Sequence, residues 1–164
     1  MKTFHMVVCL LVKEGKLLLC EKMRKIGQGR LVPYGGNIEP GETEVDAVVR
    51  EVAEESGGCL VDSQKMIKVS IGYFYTHKDN GELVLANVHT YLSDKWQGVP
   101  QDTEEMKNPT WYDIKNLPLD RQFPVDRYWL PQALLGQKTI VEAHYTPNQE
   151  SLIGEVKITN VSRF

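Results

Sequence analysis

Residues 36–57 read GNIEPGETEVDAVVREVAEESG, and this stretch predicts a loop, a helix and a second loop. Thr43, with Asp46 three residues later, resembles a helix capping box in which Asp replaces the usual Glu. Gly57, followed by a second glycine, is typical of a helix C terminus. We therefore expect a helix near residues 43–56.

The predicted helix has an acidic face and an apolar face, because residues three or four apart are neighbours on a helix surface. Glu51, Glu54 and Glu55 lie at such spacings, and like charges there destabilise a helix by roughly 0.2–0.5 kcal/mol per pair. Clustered carboxylate oxygens suit Mg²⁺, which would relieve this repulsion. The alternative is a solvated acidic face, which three glutamates alone would favour. The apolar arc holds Val45, Val48, Val49 and Val52.

The full stretch resembles the Nudix box, Gly-x5-Glu-x7-Arg-Glu-U-x-Glu-Glu-x-Gly-U, where U is a bulky apolar residue. Eight of its nine defined positions match, and Gly58 stands where the last U belongs. We expect Cys59 to take that apolar role, since a buried free cysteine behaves as a small hydrophobe. The resemblance implies an α/β fold, namely the Nudix α/β/α sandwich with a mixed sheet, as a single domain over residues 1–164. It also implies a hydrolase of nucleotide diphosphate linkages that uses Mg²⁺, with Mn²⁺ as an alternative.

The resemblance implies metal ligands as well. Glu51 and Glu55 match the core ligands, and Glu54 matches a further ligand or the general base. The carbonyl of Gly36 is an additional ligand by the same resemblance. Glu105 aligns with a carboxylate that approaches the metals from the sheet. Glu105 could equally be an exposed loop acid without a role in the site, and the neighbouring Glu104 could take its place as the ligand.

Two basic residues and a further acid complete the implied machinery. Arg50 would hold Glu42 or Glu54 by charge-assisted hydrogen bonds and orient the cluster, so Arg50 and Glu42 join Glu54 and Glu55 as catalytic candidates. Lys22 aligns with a lysine near the substrate phosphates, although a lone lysine at a strand end is more often solvated.

Beyond the box, the chain is similar to the oxidised-purine nucleoside triphosphatases, the MutT-homologue group that sanitises nucleotide pools. Val32 stands where that group has an Asn that hydrogen-bonds the purine. The group's Trp-Pro-Asp-Asp reads Phe-Pro-Val-Asp here, so Phe123 and Asp126 keep one aromatic ring and one acid while Val125 replaces the other acid. The pocket should therefore read the base edge less strictly. Phe123 could instead be a core residue at the rim, and Asp126 a helix N-cap.

Composition sets broad limits. A chain of 164 residues predicts one domain, and a net charge of −3 argues against a nucleic-acid polymer as partner. The N-terminal apolar run ends at Lys13, too short to span a membrane, so we expect a cytoplasmic protein. The cysteines form no C-x-x-C pair and the histidines show no metal-ligand spacing. Monomer and dimer stay open.

Outside the box the pattern predicts strands and one more helix. Asn80-Gly81 is a hairpin signal between two apolar runs. Mixed strands with two helices indicate a sheet covered on both sides. The expected helix spans 126–136, and the expected strands span 4–12, 17–22, 66–76, 83–92, 109–114, 139–146 and 151–161.

Taken with the resemblance, these residues imply an enzyme that converts a nucleoside triphosphate to the monophosphate and pyrophosphate. Oxidised purine deoxynucleotides such as 8-oxo-dGTP are the first choice of substrate. One alternative is a Nudix hydrolase of another diphosphate, such as a nucleotide sugar or a dinucleoside polyphosphate. Another is a nucleotide sensor without turnover, which would not need an intact metal cluster.

Overall fold

The structure, a computed structural model describing residues 1–164, is built on one mixed sheet of nine strands. Two further strands form a small separate ladder. Helix α1 spans Glu44–Ser56 and helix α2 spans Asp126–Leu134. The strands, numbered β1 to β11 in chain order, are Lys2–Lys13, Lys16–Lys22, Leu31–Val32, Tyr34–Asn37, Leu60–Val61, Ile67–His77, Leu83–Ser93, Trp96–Gln97, Met106–Asp113, Lys138–Tyr145 and Leu152–Val161.

The main sheet runs in the order β11-β10-β6-β7-β1-β2-β3, with β4 also paired to β1 and β9 to β2. Two pairs are parallel, β1 with β7 and β10 with β6, and the other pairs in this sheet are antiparallel. The separate ladder joins β5 and β8. The expected mixed sheet is therefore confirmed.

Alternate residues of β1 show that the two helices cover opposite faces of this sheet. Val7, Cys9 and Leu11 belong to the core that includes the buried face of α1, whereas Leu10 belongs to the core that includes α2. Because successive side chains of a strand point to opposite faces, the two cores lie on opposite sides. Strand β2 alternates in the same way. The α/β/α sandwich is thus confirmed.

Helix α1 begins and ends where the sequence predicts. The Asp46 amide donates to the Thr43 hydroxyl (3.1 Å), and the Thr43 amide donates to the Asp46 carboxylate (3.4 Å). Gly57 follows the last helical residue with φ 76°, a left-handed conformation that glycine adopts without strain. Cys59 is 1% exposed and packs in the same core as the helix, which confirms its apolar role.

Several expectations were wrong in detail. Asp126 is the first residue of α2 and not its N-cap, which is Val125. The helix ends at Leu134, two residues earlier than expected, and β9 begins at Met106, earlier than the expected 109. The sequence also missed β3, β4, β5 and β8, because strands of two to four residues are too short to show periodicity. No helix has the length and apolar content needed to cross a lipid bilayer.

Candidate active site

Two adjacent glycines let α1 pack its acidic face against β4. Gly35 and Gly36 pair with Val8 and Val7 of β1. A Cβ at Gly36 would collide with the carboxylate of Glu51, so a side chain cannot occupy this position without displacing Glu51. The glycine pair therefore allows the helix carboxylates to approach the strand backbone closely.

Glu55 is the most buried carboxylate at this contact. It is 5% exposed and accepts a hydrogen bond from the Gly35 amide at 2.7 Å. The pKa of Glu55 is raised to about 8, mainly by burial and also by the nearby carboxylates of Glu51 and Glu105, while the Gly35 amide opposes the shift. The carboxylate of Glu105 lies near that of Glu55, and each affects the pKa of the other. The structure thus brings Glu105 to the helix, while Glu104 is exposed.

We use the term acidic cluster for Glu51, Glu54, Glu55 and Glu105. Burial raises the pKa of Glu51, and the negative charges of Glu54 and Glu105 add to this effect, while Arg50 opposes it. Glu54 lies at the rim, with 61% of its side chain exposed. Burial and mutual repulsion therefore disfavour the simultaneous ionisation of Glu51 and Glu55.

Arg50 connects the acidic cluster to the loop before α1. Its Nε and Nη2 donate to the two carboxylate oxygens of Glu42 at 2.5 and 2.9 Å, a bidentate arrangement. Its Nη1 donates to Glu51 at 2.9 Å and lies 3.5 Å from Glu54, and Nη2 also donates to the Asn37 carbonyl at 2.9 Å. The contact with Arg50, together with a hydrogen bond from the Glu39 amide, holds the pKa of Glu42 down at about 2. The Arg50–Glu42 contact predicted from sequence is therefore present.

The donors of the acidic cluster fit a hard divalent cation. They are carboxylate oxygens whose mutual repulsion a bound cation would relieve, and Mg²⁺ and Mn²⁺ prefer such ligands. As the side chains stand, no three acidic, histidine or cysteine groups converge on one point. Arg50 engages Glu51 and the exposed Arg24 engages Glu105. Each of these carboxylates has a second oxygen that can bind a cation while the first accepts from the arginine.

Lys22 lies beside the same cluster. It is the last residue of β2 and pairs with Met106 of β9. Burial lowers the pKa of Lys22, and the carboxylates of Glu55 and Glu105 partly counter this. The structure therefore brings Lys22 and the acidic cluster together, as a phosphate-binding lysine requires.

We use the term Phe123 region for the four positions that match the base pocket of the resembling group, Val32, Phe123, Val125 and Asp126; the structure places Val125 in the core on the opposite face of the sheet from Val32. Val32 is 6% exposed, and Phe123 packs against the same core. Asp126 is 8% exposed and accepts a hydrogen bond from the buried Gln122 amide at 3.2 Å. Burial raises the pKa of Asp126 to about 7, although Gln122 opposes this. Val125 is 2% exposed and belongs to the core around α2.

Two residues that lie beside the Phe123 ring were missed from sequence. Arg30 donates to the Gln122 carbonyl at 2.7 Å, and its guanidinium lies 5.2 Å from the centre of the Phe123 ring. Gly27 lies against the same ring, and a Cβ there would collide with it. The Gly-x-Gly turn at 27–29 was a visible signal. No local sequence signal indicated the Arg30 contact, because its partner Gln122 is 92 positions away.

Comparison with known proteins agrees with this geometry. The sequence model of the NUDIX domain matches residues 1–133. The chain is 30% identical to the oxidized purine nucleoside triphosphate hydrolase of Danio rerio, over 95% of this chain and 94% of the relative. It is 31% identical to the protein of that name from Mus musculus, over 94% of each. The crystal structure of a MutT protein from Bacillus halodurans superposes with a TM-score of 0.75 at 23% identity, covering 94% of this chain and 97% of the other.

Proposed function

The chain belongs to the NUDIX family of hydrolases, and from this premise we propose that it is a Mg²⁺-dependent pyrophosphohydrolase of nucleoside triphosphates. Mn²⁺ is an alternative metal. The reaction adds water across the anhydride bond between the α- and β-phosphates and gives a nucleoside monophosphate and pyrophosphate. The observation that supports this most is the contact of Glu51 and Glu55 with the Gly35-Gly36 strand, where Glu105 also arrives.

In this proposal Glu51 and Glu55 hold the metal, with Glu105, Glu54 and the Gly36 carbonyl as further ligands. When bound, Mg²⁺ supplies positive charge that neutralises phosphate oxygens and makes a water molecule more acidic. Arg50 fixes α1 relative to β4 by donating to the Asn37 carbonyl, and its bidentate contact with Glu42 holds its guanidinium in place, so that these donors keep their positions.

The protein's own side chains handle the proton and the phosphates. Glu54 or Glu55 accepts the proton of the attacking water as its oxygen bonds to phosphorus, and the proton then passes to solvent. Glu54 reaches solvent directly, since 61% of its side chain is exposed. Lys22 binds a phosphate oxygen beside the cluster, and pyrophosphate leaves with the electrons of the broken bond.

We propose oxidised purine deoxynucleotides such as 8-oxo-dGTP as substrates. Phe123 offers a ring for stacking on the base and Asp126 a carboxyl for its edge, while Val32 supplies only apolar contact. The names of the two vertebrate relatives at 30–31% identity support this choice.

One observation favours a second candidate, a hydrolase of another nucleoside diphosphate derivative such as a nucleotide sugar or a dinucleoside polyphosphate. Val32 and Val125 carry no hydrogen-bonding group where the oxidised-purine group has Asn and Asp. A nucleotide sensor without turnover has less support, because Glu51, Glu54 and Glu55 are all present.

A panel of nucleotides tests these candidates directly. Nucleoside triphosphates, nucleotide sugars and dinucleoside polyphosphates are incubated with the enzyme and Mg²⁺, and the products are separated and identified. We expect monophosphate plus pyrophosphate from the triphosphates, fastest with 8-oxo-dGTP. Diphosphate plus orthophosphate as first products would contradict the cleavage point, faster turnover of a nucleotide sugar would favour the second candidate, and binding without products would favour a sensor.

A melting experiment tests the metal independently of turnover. Because a ligand that binds only the folded state stabilises it by mass action, Mg²⁺ should raise the melting temperature of the wild-type protein. The increase should be lost in Glu51→Gln, which removes a proposed ligand, and kept in Glu155→Gln on the exposed face of β11. An equal increase in all three proteins would place the cation elsewhere.

We also propose that residues 1–164 form one domain. The matched range ends at residue 133, but β10 and β11 follow it and extend the same sheet, with β10 paired to β6 over Thr139–Tyr145. Removing them would expose the core around α2, which contains Val141 and Tyr145. A chain truncated after residue 137 should therefore fail to give a cooperative unfolding transition.

A further inference from the structure

Two histidines that the sequence leaves unassigned meet at one end of the sheet. His77 is the last residue of β6, and His144 lies near the end of the neighbouring parallel strand β10. The Nε2 atom of His77 and the Nδ1 atom of His144 are 2.8 Å apart. One ring must donate a hydrogen bond and the other accept it, so both nitrogens face the same point.

Neighbouring side chains orient the ring of His144. It stacks on Tyr75, its register partner in β6, with ring centres 4.7 Å apart and an interplanar angle of 12°. On its other side, Nε2 of His144 lies 3.6 Å from a carboxylate oxygen of Glu142. This carboxylate favours a proton on Nε2, which leaves the Nδ1 lone pair directed at His77. In metal-ligating histidines the second ring nitrogen commonly donates to a carboxylate, and Glu142 stands at that nitrogen of His144, although 3.6 Å is longer than a hydrogen bond.

The pair is separate from the acidic cluster. His144 alternates along β10 with Ala143 and Tyr145, which face the α2 core, so His144 lies on the opposite face. That is the face covered by α1, but the two sites lie at different heights along the strands. Across the sheet, Gly36 pairs with Val7, Val7 with His89, and His89 with Ile71, so Ile71 is the β6 residue in line with Gly36. Six residues of strand separate Ile71 from His77, roughly 20 Å at about 3.3 Å per residue.

We propose that His77 and His144 form a binding site for one divalent transition metal ion of the Zn²⁺, Ni²⁺ or Cu²⁺ class. Imidazole nitrogens suit these ions, whereas Mg²⁺ prefers the oxygen donors of the acidic cluster. Metal–nitrogen bonds of about 2.0–2.1 Å require the two nitrogens to separate to roughly 3.3 Å for a tetrahedral angle, a small rotation of partly exposed rings. The His77 proton moves to its Nδ1 atom, and Nε2 then binds the metal. Water fills the remaining positions, because no third protein ligand is present.

Metal titration of matched variants tests the site. Zn²⁺ or Ni²⁺ is added to the full-length protein in excess Mg²⁺, and binding is followed by calorimetry and by the NMR signals of the histidine rings. The wild-type protein should bind one ion with shifts of the His77 and His144 signals. His144→Gln and His77→Gln should each weaken this binding at least tenfold. Glu142→Gln should weaken it several-fold, because it removes the carboxylate behind His144.

His5→Gln is the matched control, since His5 is an exposed histidine of β1 on the α1 face, and it should bind the ion as the wild type does. Melting temperatures measured without transition metal show whether each variant folds. If His144→Gln does not fold, His77→Gln still tests the site. Wild-type affinity in either variant of the pair would overturn the proposal. An equal loss of affinity in His5→Gln would also overturn it, because that result would indicate diffuse binding by surface histidines. The absence of any binding by the wild type would overturn it as well.

Discussion

The acidic cluster and the Phe123 region are assembled in opposite ways. Three of the four acids in the cluster come from one helix, and the strand that meets them is only about twenty positions away, as the Gly35–Glu55 bond shows. The Phe123 region joins Val32 to residues after 120, and the Arg30–Gln122 bond across it spans 92 positions. A change in the cluster should therefore act through local charge, and a change in the Phe123 region through packing.

The buried carboxyl groups of the two regions also lie in different electrostatic environments. Glu55 has other carboxylates and an amide nearby, so its negative form can be stabilised by a cation or by backbone N–H. Asp126 accepts a hydrogen bond from Gln122 at 3.2 Å and lies near the Trp129 indole and Arg30, but burial outweighs them and favours the neutral acid. The first arrangement suits phosphate and metal chemistry, and the second suits recognition of a neutral base edge.

The largest effect should come from Glu55→Gln. This change removes a proposed metal ligand but keeps the shape of a side chain that accepts from the Gly35 amide. We expect kcat/KM to fall by about 10²–10⁴-fold, the range of a lost catalytic acid or base, with little change in melting temperature. Pyrophosphate release and circular dichroism measure the two quantities. Glu155→Gln is the exposed control, and near-normal turnover in Glu55→Gln would remove Glu55 from the mechanism.

Arg50→Lys should have the next largest effect. Lysine keeps the positive charge but cannot make the bidentate contact with Glu42 while also donating to Glu51 and to the Asn37 carbonyl. Residues that orient metal ligands contribute about 10–100-fold to activity, and we expect a loss in kcat/KM of that size.

Arg127→Lys is the matched control, because Arg127 makes a single exposed contact with Asp120. Steady-state kinetics with a saturating and a limiting metal concentration separates lost metal affinity from lost turnover. Wild-type kinetics in Arg50→Lys would show that charge alone, without the bidentate geometry, positions α1.

The contrast explains which parts could be predicted from sequence. Helix α1, its caps and the buried Cys59 were predictable because local spacing determines them. The Phe123 region was not, because burial decides the role of each residue there. Val125 occupies the position of a base-reading acid in the resembling group, yet here it is 2% exposed in the α2 core. The contact of His77 with His144 was also invisible, since it depends on the parallel pairing of β6 with β10.

Asp126→Asn should change how stability depends on pH. In the folded protein burial raises the pKa of Asp126 to about 7, while in the unfolded chain it is about 3.9. The folded state therefore keeps a proton that the unfolded state loses, and this contribution to stability disappears as the pH rises towards and through 7. Between pH 5 and 7 the free energy of unfolding of the wild type should fall relative to Asp126→Asn by on the order of 1–2 kcal/mol.

Urea unfolding of both proteins at the two pH values measures this difference, because contributions from all other groups cancel between them. Asp120→Asn is the control, since 98% of the Asp120 side chain is exposed. An identical pH dependence in Asp126→Asn and the wild type would mean that Asp126 is ionised in the folded protein, and the Phe123 region would then resemble the acidic cluster electrostatically.

The smallest effect, and the sharpest test of substrate choice, should come from Val32→Asn. A single added hydrogen bond contributes on the order of 1 kcal/mol, which corresponds to about a fivefold change in selectivity. The ratio of kcat/KM for 8-oxo-dGTP to that for dGTP should therefore rise by about that factor over the wild type. Val125→Asp cannot serve as the companion change, because it would bury a carboxylate in the α2 core and destabilise the fold. Val99→Asn, at a position that is 75% exposed, controls for the substitution itself.

If the wild type already prefers 8-oxo-dGTP by several orders of magnitude, Val32 is not what sets the preference. Residues that hold Phe123 and Asp126 in place, such as Arg30 and Gln122, then become the next positions to vary.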